Sequence, residues 1–132
     1  MYELTVKSGF AAAHRLRNYQ GKCTQLHGHT WEIEVKVRGE KLDQAGMLMD
    51  FAELKRILRE ASEELDHTCL NDLEVFADTS PTALNPTAEN LAWYLYQRLA
   101  AVLSRDYPQL KLRSVTIWES PVTAACYGEA LE

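Results

Sequence analysis

The stretch HTWEIEVKVR, residues 29–38, alternates large apolar side chains with charged or polar side chains along most of its length. An alternation with a period of two predicts a β-strand that buries one face and exposes the other to solvent. Such a strand is typical of an antiparallel sheet that packs on only one side. The predicted buried positions are Trp31, Ile33, Val35 and Val37.

The segments on either side of this strand divide into strands and helices by the same test of periodicity. Alternation predicts a strand at residues 2–7 that continues to Ala13, with a β-bulge at Gly9. The predicted fold class is α+β, in the order β-β-α-α-β-β, with a four-stranded antiparallel sheet and two helices on one face. The remaining predicted elements are helices at residues 51–65 and 87–103 and strands at residues 111–119 and 123–127.

Length and composition limit the classes of protein to consider. The 132 residues are expected to form one domain over residues 1–132, since typical domains have about 100–150 residues. The net charge of −5 argues against general binding to nucleic acid or to anionic membranes. No apolar run approaches the roughly 20 residues that span a bilayer, and the N-terminus lacks the layout of a signal peptide. We therefore expect a cytoplasmic protein.

A histidine cluster is the strongest chemical signal in the sequence. His27, Gly28 and His29 lead into the strand at residues 29–38, and residues i and i+2 of an extended chain point the same way. His14 ends the first strand and lies beside them if the first two strands pair. Three histidines with an open fourth position are typical of catalytic zinc. The alternatives are two polar residues at a strand entrance and a buried His14 bonded to backbone.

The three cysteines are odd in number and widely spaced, which is not the pattern of a disulfide framework. Cys69 and Cys126 lie among apolar residues, and we interpret both as packing. Cys23 is different because Lys22 is adjacent to it, and a cation or a nearby metal favours the thiolate. Spacing alone leaves two roles open for Cys23: a catalytic base or nucleophile, or the fourth ligand of a structural zinc site.

Five other polar residues each allow a chemical role and a structural role. Asp66 beside His67 can form an acid–base pair, or can cap the end of the first helix. Glu119, near the end of a predicted strand, can accept two N–H donors from a heterocycle, or can be solvated. Thr87 and Glu89 start the second helix as its cap and first-turn acid, which accounts for them without a ligand.

Six motifs, taken together and in this order, resemble the 6-pyruvoyltetrahydropterin synthase superfamily over nearly the whole chain. They are FAAAHRL (10–16), CTQLHGH (23–29), GMLMDFAELK (46–55), LDHTCLND (65–72), PTAEN (86–90) and WES (118–120).

This resemblance implies the T-fold, in which subunits join edge to edge into a barrel, generally as a homohexamer of two trimers. That assembly would cover the two open edges that a four-stranded sheet leaves. The resemblance also implies that His14, His27 and His29 hold Zn²⁺ and that Cys23 is the proton acceptor.

For the substrate pocket, the resemblance implies that Asp66 with His67 forms a second acid–base group. Glu119 would anchor the amino-pyrimidine edge of a pterin, and Thr87 and Glu89 would line the same pocket. Because sites in this family form between subunits, the last three residues would serve the zinc of a neighbouring subunit.

The spacing of the cysteine motif selects a branch within the superfamily. Three residues separate Cys23 from the H-G-H run, as in the 6-carboxy-5,6,7,8-tetrahydropterin synthases of queuosine biosynthesis. That branch converts 7,8-dihydroneopterin triphosphate to 6-carboxytetrahydropterin, releasing acetaldehyde and triphosphate. The candidates for binding the triphosphate group are Arg15, Arg17 and Lys22.

Other functions stay open from the sequence. The loop containing VFAD (75–78) is longer than this branch leads us to expect and resembles the pyruvoyl branch, which eliminates triphosphate without cleaving a carbon–carbon bond. A non-catalytic pterin- or purine-binding module with structural zinc is a second alternative. A zinc-stabilised assembly protein is a third.

Overall fold

The computed structural model describes residues 1–129, so the last three residues of the predicted domain lie outside the described part. One mixed sheet is backed by two helices. The strands are β1 (Tyr2–His14), β2 (His27–Gly39), β3 (Thr68–Cys69), β4 (Lys111–Ser120) and β5 (Thr123–Gly128), and the helices are α1 (Phe51–Ser62) and α2 (Ala88–Asp106).

The strand order in the sheet is β3-β1-β2-β4-β5. The α+β class and the antiparallel pairing of the four long strands are confirmed, but the predicted count of four strands is wrong because β3 adds a fifth. β3 runs parallel to β1, with Thr68 opposite Ala12. A two-residue strand has no periodicity to read. It forms because the chain turns at His67, where φ is 57°, and the His67 N–H donates to the Ala11 carbonyl at 2.6 Å.

The bulge predicted at Gly9 is also wrong. Gly9 pairs in unbroken register with Glu32, and the register between β1 and β2 is continuous from Tyr2 to His14. A Cβ atom at Gly9 would lie 2.9 Å from the carbonyl oxygen of Trp31. Glycine is therefore suited to this position because it allows close approach of two backbones, rather than because it kinks the strand.

The core lies between the inner face of the sheet and the two helices. Alternate residues of β1 and β2 meet across the strands, so that Val6 lies opposite Val35 and Phe10 opposite Trp31, all four buried. Helix α1 packs against β1, and α2 packs against β4 and β5.

Both helices begin at side-chain caps. Asp50 accepts from the N–H of Ala52 at 2.8 Å, and Thr87 Oγ1 accepts from the N–H of Asn90 at 3.1 Å. These bonds satisfy amide groups that have no partner inside the helix.

The same alternation that builds the core also places the candidate site. On β2 the inner-facing series Val35, Ile33 and Trp31 continues through His29 to His27, and on β4 Ile117 is followed by Glu119. Because side chains at i and i+2 share a face, these polar residues extend the core stripe to one end of the sheet.

No helix among residues 1–129 combines the length and the apolar character that a bilayer crossing requires.

Candidate metal centre and active site

Four potential metal ligands converge at the end of the inner face of the sheet. They come from three adjacent strands: His14 from β1, His27 and His29 from β2, and Glu119 from β4. One donor atom from each lies within 4.8 Å of the donor atoms of the other three. The convergence of the three histidines agrees with the sequence analysis; that they hold a metal stays a prediction.

Two backbone carbonyls determine which ring nitrogen of two histidines carries the proton. His14 Nδ1 lies 2.7 Å from the carbonyl oxygen of Pro86, and His27 Nδ1 lies 2.7 Å from that of Gln25. Because a carbonyl oxygen only accepts hydrogen bonds, each Nδ1 must be the donor. In the neutral rings Nε2 is then left with a lone pair. An outer hydrogen bond of this kind is the usual support for a metal-ligating histidine.

The two unprotonated nitrogens face each other. Nε2 of His14 and Nε2 of His27 are 3.1 Å apart, and two lone pairs at that separation repel unless a proton or a cation lies between them. A metal ion bound to both would convert this repulsion into attraction. The pair therefore fits a cation better than it fits an empty polar core.

His29 provides a third nitrogen without a role in the protein's own hydrogen bonding. Its Nε2 is buried and makes no hydrogen bond to another residue in the described range 1–129. The carboxylate oxygen Oε1 of Glu119 lies 3.2 Å away. Imidazole nitrogens with one carboxylate are a donor set that suits zinc and related divalent transition metals.

Burial keeps His14 in the form that a metal requires. His14 is only 1% exposed, and this burial lowers its pKa; the hydrogen bond to the Pro86 carbonyl opposes the shift, and the neighbouring His27 reinforces it. The Trp31 ring packs edge-on against the His14 ring, with the two ring centroids 4.9 Å apart. A neutral imidazole has the free lone pair that coordination needs.

Cys23 precedes His27 and His29 in the chain and is not one of the converging donors of this centre. It sits in a single turn of 3₁₀ helix, Lys22–Thr24, and is half-buried, but its sulfur is not among the four converging donors. The fourth converging donor is a carboxylate oxygen of Glu119 and not the thiol of Cys23. The packing role expected for Cys126 is wrong, because Cys126 is exposed on the edge strand β5, whereas Cys69 is half-buried.

The structure separates Asp66 and His67 from the histidine cluster. Helix α1 ends before them, at Ser62, so the pair does not cap it. Ala12 pairs with Thr68 on one side and with His29 on the other, which puts the pair across β1, about 10 Å from β2 at two strand spacings.

Asp66 holds His67 at this outer edge of the sheet. Its Oδ2 lies 2.9 Å from His67 Nδ1, and its Oδ1 accepts from the N–H of Ala11 at 2.9 Å. The bond from Ala11 lowers the pKa of Asp66, and His67 adds to the shift, so the carboxylate is ionised at neutral pH. The His67 side chain is 83% exposed and projects into solvent.

The residues predicted to bind substrate are divided between a cleft and a helix cap. Glu119 and Glu89 line a cleft of about 410 Å³ together with Ala88 and Thr123. Thr87 caps α2, as described above. Glu119 therefore faces both the cleft and the histidines of its own chain. Its expected position beside the zinc of a neighbouring subunit stays a prediction.

Two of the three residues predicted to bind triphosphate already form ion pairs within the protein. Arg15 and Arg17 both form ion pairs with Asp78, and Arg17 also donates to the Phe76 and Leu84 carbonyls at 2.7 and 2.8 Å. Lys22 is exposed and forms no ion pair with a residue in the described part of the chain.

The two carbonyl groups that orient the histidines were not predicted from the sequence. Any residue carries a carbonyl, so no residue type marks Gln25 or Pro86 for this role. The position of Pro86 at the start of the PTAEN motif was the one available signal.

The fold and the site together define an α+β protein with a candidate metal centre at the end of its sheet. The chain belongs to the 6-pyruvoyl tetrahydropterin synthase family, whose sequence model matches residues 3–130.

Relatives at similar identity carry different enzyme names. A 6-carboxy-5,6,7,8-tetrahydropterin synthase of Bacillus subtilis is 32% identical over 127 residues, which cover 96% of this chain and 84% of the relative. A dihydroneopterin monophosphate aldolase of Pyrococcus furiosus is 34% identical over 113 residues, covering 86% and 85%. The solved structure of Caenorhabditis elegans 6-pyruvoyl tetrahydropterin synthase is 31% identical, with a TM-score of 0.82 over 98% of this chain and 96% of that one. The predicted T-fold is confirmed.

Removal of one histidine tests whether the cluster binds metal. Zinc added to metal-free protein at about 100 times its dissociation constant should raise the free energy of unfolding by about 2.7 kcal/mol. His14→Ala should abolish this gain, because the remaining donors lose one of the two facing nitrogens. The measurement is denaturant unfolding at one protein concentration, with and without zinc.

The matched control is His67→Ala, which removes an exposed histidine outside the cluster. This variant should gain as much stability from zinc as the unmodified chain. An equal loss of the zinc effect in both variants would contradict the assignment.

Proposed function

We propose that the chain is a 6-carboxy-5,6,7,8-tetrahydropterin synthase, a zinc-dependent carbon–carbon lyase. Its substrates would be 7,8-dihydroneopterin triphosphate and one water molecule, which supplies an oxygen atom to the products, and its products would be 6-carboxytetrahydropterin, acetaldehyde and triphosphate. The observation that carries the proposal is the pair of unprotonated nitrogens on His14 and His27, with His29 and Glu119 beside them and Cys23 four residues upstream. The carboxy branch is favoured by the three-residue spacing after Cys23.

The donor set supports zinc as the metal, with His14, His27 and His29 as its ligands. All three are imidazole nitrogen donors from two paired strands, and three protein ligands leave a position for substrate. The chemistry that zinc supplies when bound is Lewis acidity toward the hydroxyl oxygens of the substrate side chain.

Glu119 is proposed to anchor the pterin. An ionised carboxylate accepts the two parallel N–H donors of an amino-pyrimidine edge, which is the geometry that makes such contacts strong and specific. Glu119 lines the cleft beside the histidines, and Glu89 lines the same cleft. Thr87, the cap of α2, completes the proposed binding set at the start of that helix.

Proton transfer is assigned to two groups on different sides of β1. Cys23, in the turn that precedes His27, takes the proton from the substrate side chain as a thiolate. His67, oriented by Asp66, is the second acid–base group. Because His67 projects from the sheet edge, it would act at the active site of another subunit. This favours a homo-oligomer and, by family resemblance, a hexamer of two trimers.

We place the reaction in the cytoplasm, where Cys23 stays reduced.

The direct test is incubation of zinc-loaded protein with 7,8-dihydroneopterin triphosphate, with the products identified by mass. The proposal predicts stoichiometric acetaldehyde and a 6-carboxy product. A pyruvoyl product without acetaldehyde would reject it in favour of 6-pyruvoyltetrahydropterin synthase. That second candidate is supported by the VFAD loop and by the likeness to the Caenorhabditis elegans enzyme.

Replacement of Cys23 separates the two roles that the sequence left open. Cys23→Ala should lower kcat by about 100-fold or more, since loss of a positioned base removes a factor of about 10²–10⁴. It should keep one zinc per chain, measured by metal analysis after dialysis. The control, Cys126→Ser on the exposed edge strand, should change neither quantity. Loss of zinc from Cys23→Ala would make the thiol a ligand.

Replacement of Glu119 separates pterin anchoring from metal binding. Glu119→Gln keeps the shape of the side chain but cannot accept two hydrogen bonds as an anion, so KM should rise about 10- to 100-fold. Zinc content should stay unchanged. The control is Glu32→Gln, which alters a carboxylate paired with Lys7 on the outer face of the sheet. If Glu119→Gln loses zinc instead, the carboxylate belongs to the metal.

A further inference from the structure

Two asparagine side chains bind the backbone just after β1. The N–H of Arg15 donates to Asn71 Oδ1 at 2.9 Å, and Asn71 Nδ2 donates to the Arg15 carbonyl at 3.0 Å. Asn85 repeats both bonds at Arg17, each at 2.9 Å. A side-chain amide carries the same donor and acceptor as a peptide group. We call this pair, Asn71 and Asn85, the asparagine clamp.

The clamp makes the backbone hydrogen bonds that a neighbouring β-strand would otherwise make. Arg15 and Arg17 are two residues apart, which is the spacing at which an extended chain presents its N–H and C=O groups to one side. Leu16, between them, faces the opposite way: its N–H donates to the carbonyl of Cys23 at 2.8 Å. The clamp holds one side of residues 15–17, and the turn that carries Cys23 is bonded to the other side.

A hydrogen bond connects the turn that contains Cys23 to the histidine cluster. The backbone continues from Cys23 to Gln25, whose carbonyl lies 2.7 Å from Nδ1 of His27. The same turn is closed by the N–H of Gln25, which donates to the Lys22 carbonyl at 3.1 Å. A displacement of Leu16 would therefore be transmitted to both Cys23 and the orientation of His27.

The clamp itself is anchored in the long connection between β3 and α2. Asn71 is buried, and the carbonyl of Asn85 accepts from Asn90 Nδ2 at 2.9 Å, at the start of α2. Pro86, next to Asn85, supplies the carbonyl that orients His14. This one connection thus bonds both to His14 and to the backbone of residues 15–17.

We propose that Asn71 and Asn85 are positioning residues that hold the backbone of Cys23 in the turn that leads to the histidine cluster. Neither asparagine touches the reacting atoms; each acts through the backbone of residues 15–17 and the bond from Leu16 to Cys23. The proposal rests on the proposed role of Cys23 as base. It also gives a function to the long connection, which the family resemblance left without one.

The test uses Asn71→Ala and Asn85→Ala in the full chain, each with a conservative companion. Asn71→Asp and Asn85→Asp keep the acceptor for the backbone N–H but set a carboxylate oxygen against a carbonyl oxygen, so both should behave like the alanine variants. The stability control is Ser62→Ala, which removes a buried hydroxyl that donates to the Leu58 carbonyl at 2.9 Å within α1.

The first readout is the rate at which iodoacetamide alkylates Cys23 in native metal-free protein, measured peptide by peptide by mass spectrometry. A cysteine-containing reference peptide added to each sample is the internal reference, because Cys126 lies on an edge strand that the proposed oligomer would cover. Alanine at either clamp position should change the ratio of Cys23 alkylation to that of the reference peptide by about fivefold or more, since the turn loses its fixed position. Ser62→Ala should leave the ratio unchanged.

The second readout is steady-state turnover of the zinc-loaded protein. The clamp variants should lower kcat by about 10- to 100-fold with KM within about threefold, because misplacing a reacting group by about 1 Å has an effect of this size. An unchanged alkylation ratio, or a kcat equal to that of an active unmodified chain, would overturn the proposal.

The two readouts also separate this proposal from the proposed function. If the unmodified chain does not turn over the pterin but the alkylation ratio responds to the clamp, the function fails while the clamp's hold on Cys23 stands. If turnover is normal in every variant and alkylation does not change, the function stands and the clamp is overturned.

Discussion

Two imidazole nitrogens that face each other at 3.1 Å form the interaction on which the site depends. The carbonyls of Pro86 and Gln25 draw the proton of each ring to its far side, and burial lowers the pKa of His14, which opposes a proton between the rings. The arrangement is unfavourable for the protein alone and favourable around a cation. The rings need no rotation to present their lone pairs to one point, which is the preorganisation that the proposed metal site requires.

The sheet maintains this geometry because the site is a continuation of the core. His27 and His29 follow Trp31 on the inner face of β2, and Trp31 packs against the rings of both His14 and His29. Trp31 is itself fixed by a hydrogen bond from its indole N–H to the Ala12 carbonyl at 3.2 Å. The side chains that stabilise the fold are therefore the ones that limit movement of the donors, as a rigid metal site requires.

Periodicity was sufficient to predict the four long strands, both helices and the convergence of three histidines, because each follows from a side chain's position in a repeat. Other features depend on contacts between distant segments, which no local pattern encodes. β3 is two residues long and forms only because the turn at His67 brings it to β1. Asn71 and Asn85 lie 56 and 68 residues from the backbone they bind. The exposure of Cys126 depends on β5 being an edge strand.

The most direct measurement is X-ray absorption spectroscopy at the zinc edge of the zinc-loaded chain without substrate. The account predicts three imidazole nitrogens, with any further ligand an oxygen, all at about 2.0–2.2 Å, and no sulfur in the shell. A sulfur scatterer at about 2.3 Å would show that Cys23 closes the site as a fourth ligand, and it would contradict the open catalytic centre proposed here.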